Sequence, residues 1–176
     1  EIESAPDFIK KLTSEKVYFV AWTTTPWTIP ANFALAVNPA FKYVLVEYDN
    51  AVYIIAKDRL ENTFKEQNLV KVLDEFGGGD FEGIKYKPVY EYFINETTSA
   101  DFTVYLRDDV HIDEGTGVLH VAPAFGEVDF QMGQKHGISA IRDIDEEGKM
   151  IVDPWKGIYL RDASPLIAEH LEEKGN

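Results

Sequence analysis

Apolar positions along this chain come in short runs broken by proline, glycine and aspartate, a pattern of strands and turns with a few helices between them. Residues 17–23, VYFVAWT, are β-branched and aromatic with apolar character on both faces, and predict a central strand. The run continues straight into 24–32, TTPWTIPAN, where Pro26 and Pro30 forbid a regular helix or an inner strand. Residues 42–48 and 51–56 predict two strands joined by a tight hairpin at Asp49-Asn50. A helix is expected over 58–68, with Leu60 and Phe64 on one face and Glu61 and Lys65 paired toward solvent. Residues 70–76 read as a strand stopped by Gly77-Gly78-Gly79. Residues 86–93 are aromatic, but Pro88 confines them to an edge or a crossing connection.

The second half continues in the same way. Residues 102–106 alternate as a strand does, 108–114 form an acidic loop, and the Gly115-Thr116-Gly117 turn releases a strand over 118–121, VLHV. A small-residue elbow, APAFG, leads to a helix over 127–136 that is acidic at its start and closed by Lys135, His136 and Gly137. Residues 141–144 and 150–152 bracket an acidic turn. Ser164-Pro165 has the form of an N-cap followed by proline at the first helical position, with Ile167 and Leu171 inward until Gly175. Residues 1–15 carry mixed charge with little periodicity and read as a lead-in. Many strands with a few helices, not in strict alternation, predict an α+β fold with a β-barrel core and peripheral helices, in a single domain over 1–176.

Composition narrows the chemistry. Cysteine is absent, which removes a disulfide scaffold, a thiolate metal site and a cysteine nucleophile. No apolar run approaches membrane-spanning length, so a soluble, cytoplasmic chain is expected. The 31 acidic and 17 basic residues leave a net charge of −14, a surface that on average repels a polyanion. A nucleic-acid partner would therefore have to be held by something other than its phosphates.

Two stretches carry candidate chemistry. A strand end followed by a glycine-bearing elbow into a helix start is a common place for a polar site, and here His120 and Asp129 flank the elbow. An ordinary strand histidine and a carboxylate that merely complements a helix dipole would read the same way. The other stretch is the threonine run Thr23-Thr24-Thr25, whose hydroxyls continue from an apolar strand, though threonine also simply favours strands.

Together the two stretches resemble a known family. Trp22-Thr23-Thr24-Thr25-Pro26-Trp27-Thr28-Ile29-Pro30-Ala31-Asn32 is similar to the threonine-rich peptide of the editing domain of isoleucyl-tRNA synthetases. Gly115-Thr116-Gly117, His120, Ala122-Pro123, Phe125-Gly126 and Asp129 resemble that domain's second motif, and Asn38-Pro39, Glu147-Gly148-Lys149 and Pro154-Trp155-Lys156-Gly157 extend the likeness over nearly the whole chain. Valyl and leucyl relatives typically carry arginine after the paired threonines, where this chain has Pro26-Trp27 after Thr25. The HIGH and KMSKS motifs of the synthetic site are missing, so the resemblance is to the inserted editing domain alone.

That resemblance implies hydrolysis of the ester in valyl-tRNA(Ile), and of valyl-adenylate as a further substrate, with no cofactor and no metal. It implies a monomer whose partners are the tRNA 3′ end and the remainder of a synthetase chain. A pocket shaped for isoleucine excludes valine poorly, because a missing methylene is worth only about 1–3 kcal/mol; the isoleucyl enzyme is itself the standard illustration of that figure, which is quoted as such. A second site that fits valine tightly sorts in the other direction. In this reading Asp129 holds the substrate α-ammonium. His120 bonds the terminal ribose, walls the pocket or assists proton transfer. Thr23, Thr24 and Thr25 orient water and contact adenosine or carbonyl, Asn32 joins the polar cluster, and Trp22 packs as a wall. The catalytic set implied is Asp129, His120 and Thr24. A valyl-type domain acting on threonyl-tRNA and a non-hydrolytic tRNA-positioning module are the alternatives.

Overall fold

A computed structural model describes residues 1–64 and 66–175. In chain order its first half holds α1 (Asp7–Lys10), β1 (Val17–Phe19), β2 (Ala34–Val37), β3 (Lys42–Tyr48), β4 (Ala51–Ala56), α2 (Leu60–Thr63) and β5 (Lys71–Gly77). The second half holds β6 (Thr103–Leu106), β7 (Val118–Val121), α3 (Glu127–His136) and α4 (Leu160–Glu173). The chain divides into two compact units. Unit one is Glu1–Trp22, Ala34–Lys87 and Phe102–His120; unit two is Thr23–Phe33, Pro88–Asp101 and Val121–Asn176.

Unit one is built on strands. A four-stranded sheet has the order β1-β4-β3-β5. The Asp49-Asn50 hairpin forms as expected: φ is 47° and 61° at the two residues, the backbone that a type I′ turn needs, and Tyr48 faces Ala51. Along β3, Tyr43 and Leu45 enter one apolar cluster with Phe81 and Ile54, while Val44 and Val46 enter another with Ile55 and Phe64. Both faces of the strand are covered, so it reads as a continuous apolar run. Each fully buried Leu or Ile contributes about 1.5–3 kcal/mol of burial free energy.

Several expectations change here. The 17–23 run gives only the three residues of β1, which pairs in parallel with β4 at the edge of the sheet and is not central. After Val20 bonds Ile54 O, the chain leaves this sheet, and Trp22 bridges Leu119 instead. The 1–15 lead-in is part of the core, because α1 buries Ile9 completely. The 58–68 helix is a 3-10 turn, Lys57–Arg59, followed by the single turn of α2; Lys65, the expected partner of Glu61, lies outside the described residues.

A second ladder has the order β6-β2-β7, with β2 parallel to β6 and Ala34 opposite Thr103. All four residues of β2 are buried. Neither ladder closes on itself: β1 and β5 remain edges of one, β6 and β7 of the other. The mixed α and β class holds, and the expected closed β-barrel is not formed by these sheets.

Unit two has its own core of Met150, Val152, Trp155, Ala163, Ile167 and Tyr90, with Trp27, Ile29 and Leu171 packed against it. α3 spans the expected residues and ends at Gly137, whose φ of 75° lets its N–H return to Gly133 O. α4 starts at Leu160 and not at Ser164. Leu160 N–H bonds Gly148 O, and the N–H groups of Asp162 and Ala163 both bond Tyr159 O, so Ser164 and Pro165 lie inside a helix already begun. Burial of Ala163 and Ile167 outweighs the bond that Pro165 cannot donate. α4 packs on a 3-10 helix over Pro26–Ala31, the form taken by the proline-bearing segment.

Candidate functional site

In unit two, Thr25 is the pivot of a small hydroxyl network. Its N–H donates to Thr23 Oγ1 (3.0 Å), and its Oγ1 lies 3.4 Å from the hydroxyls of both Thr23 and Thr28. Its carbonyl accepts from Thr28 N–H (3.0 Å) and from the Thr28 hydroxyl (2.9 Å). The prolines make this possible. With Pro26 opening the 3-10 helix, the spacing from Thr25 to Thr28 closes one turn. Thr24 is exposed and Thr28 buried, and it is Thr28 that closes the network with Thr25.

The elbow meets this segment within the same unit. Asp129 lies in the first turn of α3, half-buried, and its Oδ2 accepts Ala122 N–H at 2.9 Å. One carboxylate oxygen thus pins the elbow to the helix start, a bond between residues seven apart. Val121 O accepts Phe33 N–H at 3.1 Å, and Asn32 Nδ2 approaches it at 3.5 Å from 89 positions away in sequence. Trp27 packs edge-on against Phe125, ring centroids 4.9 Å apart at 72°. The Trp27–Phe125 contact and the approach of Asn32 to Val121 O thus bring the threonine-bearing segment against the elbow that Asp129 holds. Among the described residues no group of three or more His, Asp or Glu side chains could hold a metal ion.

Two of the expected residues belong to unit one, whose boundary runs between Trp22 and Thr23 and between His120 and Val121. His120 is the third residue of β7 and half-buried. Trp22 N–H bonds Val118 O (3.2 Å), and its indole covers Gly115 so closely that an added Cβ would lie 3.0 Å from the ring. Gly115, at φ +73°, is required there on both counts. Of the expected residues, Trp22 and His120 thus lie in unit one, and Thr23, Thr24, Thr25, Asn32 and Asp129 in unit two. The hydrogen bonds of Thr28 to Thr25, for which the Thr-x-x-Thr spacing is the available signal, and the Trp27–Phe125 contact are not among the expectations.

Comparison with known proteins follows the same lines. No family model matches the chain. It is 39% identical over 172 residues to the isoleucine–tRNA ligase of Pyrococcus furiosus, covering 92% of this chain and 16% of that protein. For the ligase of Caldanaerobacter subterraneus the identity is 43% over 162 residues, covering 89% of this chain and 16% of that one. For Clostridium tetani it is 38% over 179 residues, covering 99% and 17%. The chain spans about one sixth of the length of these relatives. Among solved structures it is similar to GlLeuRS-CP1, with a TM-score of 0.74 at 16% identity over 96% of this chain and 85% of that one. It is also similar to the editing domain of the Plasmodium falciparum cytosolic leucyl-tRNA synthetase, with a TM-score of 0.69 at 14% identity over 92% and 78%. At such identities the structural likeness is one of fold. Homologous over most of its own length to a part of isoleucine–tRNA ligases, the chain has the fold of the leucyl-tRNA synthetase editing domains.

Proposed function

We propose that residues 1–176 act as one hydrolytic editing domain, which removes valine from mischarged tRNA(Ile) and also hydrolyses valyl-adenylate. The observation that carries this reading is Asp129, a half-buried carboxylate fixed at the start of α3 in the unit that also holds the threonine network. Its charge binds the α-ammonium of an aminoacyl ester, so acyl groups without a free amine are poor substrates. The exposed hydroxyl of Thr24 orients water for direct attack on the ester carbonyl. No G-x-S-x-G elbow supports a covalent route. Thr23, Thr25 and Asn32 bind the substrate's polar groups, His120 contacts the terminal ribose and limits the side-chain pocket, and Trp22 forms a wall. The partners proposed are the tRNA 3′ end and the remainder of a synthetase chain, and the setting is a cytoplasmic monomer.

The structural bond from Asp129 to Ala122 dictates the test. Asp129→Ala removes the charge and the elbow bond together, whereas Asp129→Asn keeps an oxygen for Ala122 N–H and removes only the charge. Loss of a charge-assisted bond costs about 1.5–3 kcal/mol, or roughly a 10- to 150-fold slower deacylation of valyl-tRNA(Ile). Asp129→Asn is expected to fold as the parent does and to show that loss. Full activity in Asp129→Asn removes the ammonium-binding role. Absence of deacylation by the parent, with tRNA still bound, favours the positioning module instead.

A further inference from the structure

In unit one, the backbone leading into β7 is held almost carbonyl by carbonyl. Arg59 Nη1 donates to Ile112 O (3.3 Å) and Asp113 O (3.4 Å), and Arg59 Nε donates to Gly115 O (2.7 Å). Ala56 N–H takes Thr116 O (3.0 Å), the buried Tyr43 hydroxyl takes Gly117 O (2.7 Å), and Trp22 N–H takes Val118 O (3.2 Å). One side chain supplies three of these bonds. A guanidinium suits that task because its planar fork of donors serves several acceptors at once without rearranging.

The turn has little slack on its other sides. Gly115 lies against the Trp22 indole, and a Cβ on Gly117 would lie 2.4 Å from that of Ala56. Arg59 is well placed to act as the fixed point. It follows β4, whose Ile54, Ile55 and Ala56 are buried in the sheet, by a single 3-10 turn. The acidic side chains Asp113 and Glu114 are exposed, so Arg59 grips this loop through its backbone and leaves its carboxylates in water.

We propose that Arg59 is a positioning residue for hydrolysis: by holding the 112–115 turn through three carbonyls, it fixes the start of the strand that carries His120. The proposal rests on the reading of His120 as a residue that contacts the substrate. A group acting only on stability would lower the unfolding midpoint and leave the rate of folded protein alone. A positioning group changes the rate itself, since small misplacements of a reacting group cost up to about a hundredfold.

The test is a double-mutant cycle on valyl-tRNA(Ile) deacylation at saturating substrate, well below each variant's unfolding midpoint. Arg59→Ala is expected to lose at least about tenfold in kcat with a smaller change in KM. Arg59→Lys, which keeps the charge but not the planar fork of donors, is expected to recover part of the loss; it also carries the cycle if Arg59→Ala does not fold. In a His120→Ala background either change is expected to add less than about twofold, because the residue it positions is gone. A full-rate Arg59→Ala makes Arg59 a stability clasp, and the same fold-loss with and without His120 means that it acts on the rate other than through His120; either result overturns the proposal while the editing reading stands. If His120→Ala alone leaves both the rate and the valine-to-isoleucine preference untouched, the underlying reading of His120 fails first, and that result is visible without any Arg59 variant.

Discussion

Replacing Asp143 by asparagine is expected to change the slope of the pH–stability curve more than its height. Asp143 is fully buried, and neither carboxylate oxygen has a hydrogen-bond partner among the described residues, although its main-chain carbonyl accepts Ile151 N–H at 2.8 Å. Burial pushes its carboxyl up from 3.8 to about 7. The folded chain therefore keeps a proton that the unfolded chain releases. The stability contributed by this protonation is fully present below about 3.8 and is lost as pH rises to about 7. That interval is about three pH units, and at about 1.36 kcal/mol per unit it amounts to roughly 4 kcal/mol. Asparagine is neutral throughout and has the shape of the protonated acid. It also brings an amide without acceptors into the same dry place, a penalty of about 1–3 kcal/mol that does not vary with pH. The informative quantity is therefore the difference between variant and parent, followed by urea unfolding from pH 4 to pH 8.5. It is expected to shift in favour of Asp143→Asn by about 4 kcal/mol across that range, mostly below pH 7. A difference that stays flat with pH means that Asp143 ionises normally in the folded chain, and refutes the reasoning.

Two further outcomes follow from buried polar groups. Tyr43→Phe removes the hydroxyl that donates to Gly117 O (2.7 Å) and accepts Asn38 N–H (2.9 Å), leaving both buried; it is expected to cost about 1–3 kcal/mol in urea unfolding, and no measurable change contradicts it. Asp101→Ala removes an acceptor that is 2% exposed and serves Thr98 N–H, Ser139 N–H and the Ser139 hydroxyl at 2.5–2.7 Å. A loss of about 3 kcal/mol or more is expected, with faster amide exchange at Ser139; parent-like exchange there contradicts the assignment.

What was legible in the sequence was what depends on neighbours in sequence. The Asp49-Asn50 hairpin and the Gly137 end of α3 are set by backbone preferences of one or two residues, and both formed as expected. β2 escaped notice because its four buried residues follow Pro30 and look like the tail of an irregular segment. Ser164-Pro165 is a strong local signal for a helix start, but α4 begins earlier because Leu160 and Ala163 bond residues ahead of the helix. The site divides the same way. His120, Asp129 and the threonines stand in recognisable motifs. Arg59 acts on carbonyls 53 to 56 positions away, which no local pattern reveals. Asp143 lies in the 141–144 run beside the acidic turn Asp145-Glu146-Glu147, and its sequence neighbours give no sign that its carboxyl is dry; packing does.

The most direct measurement is deacylation of valyl-, isoleucyl- and threonyl-tRNA by the chain, in parallel and in parent and His120→Ala forms. Isoleucine must overpack a site that fits valine, at about 1–3 kcal/mol, so valyl-tRNA(Ile) is expected to be hydrolysed about 5- to 150-fold faster than isoleucyl-tRNA(Ile). The ratio is expected to narrow when the His120 imidazole is removed. Preference for threonyl-tRNA, or equal hydrolysis of valyl- and isoleucyl-tRNA by the parent, contradicts editing by size at this site.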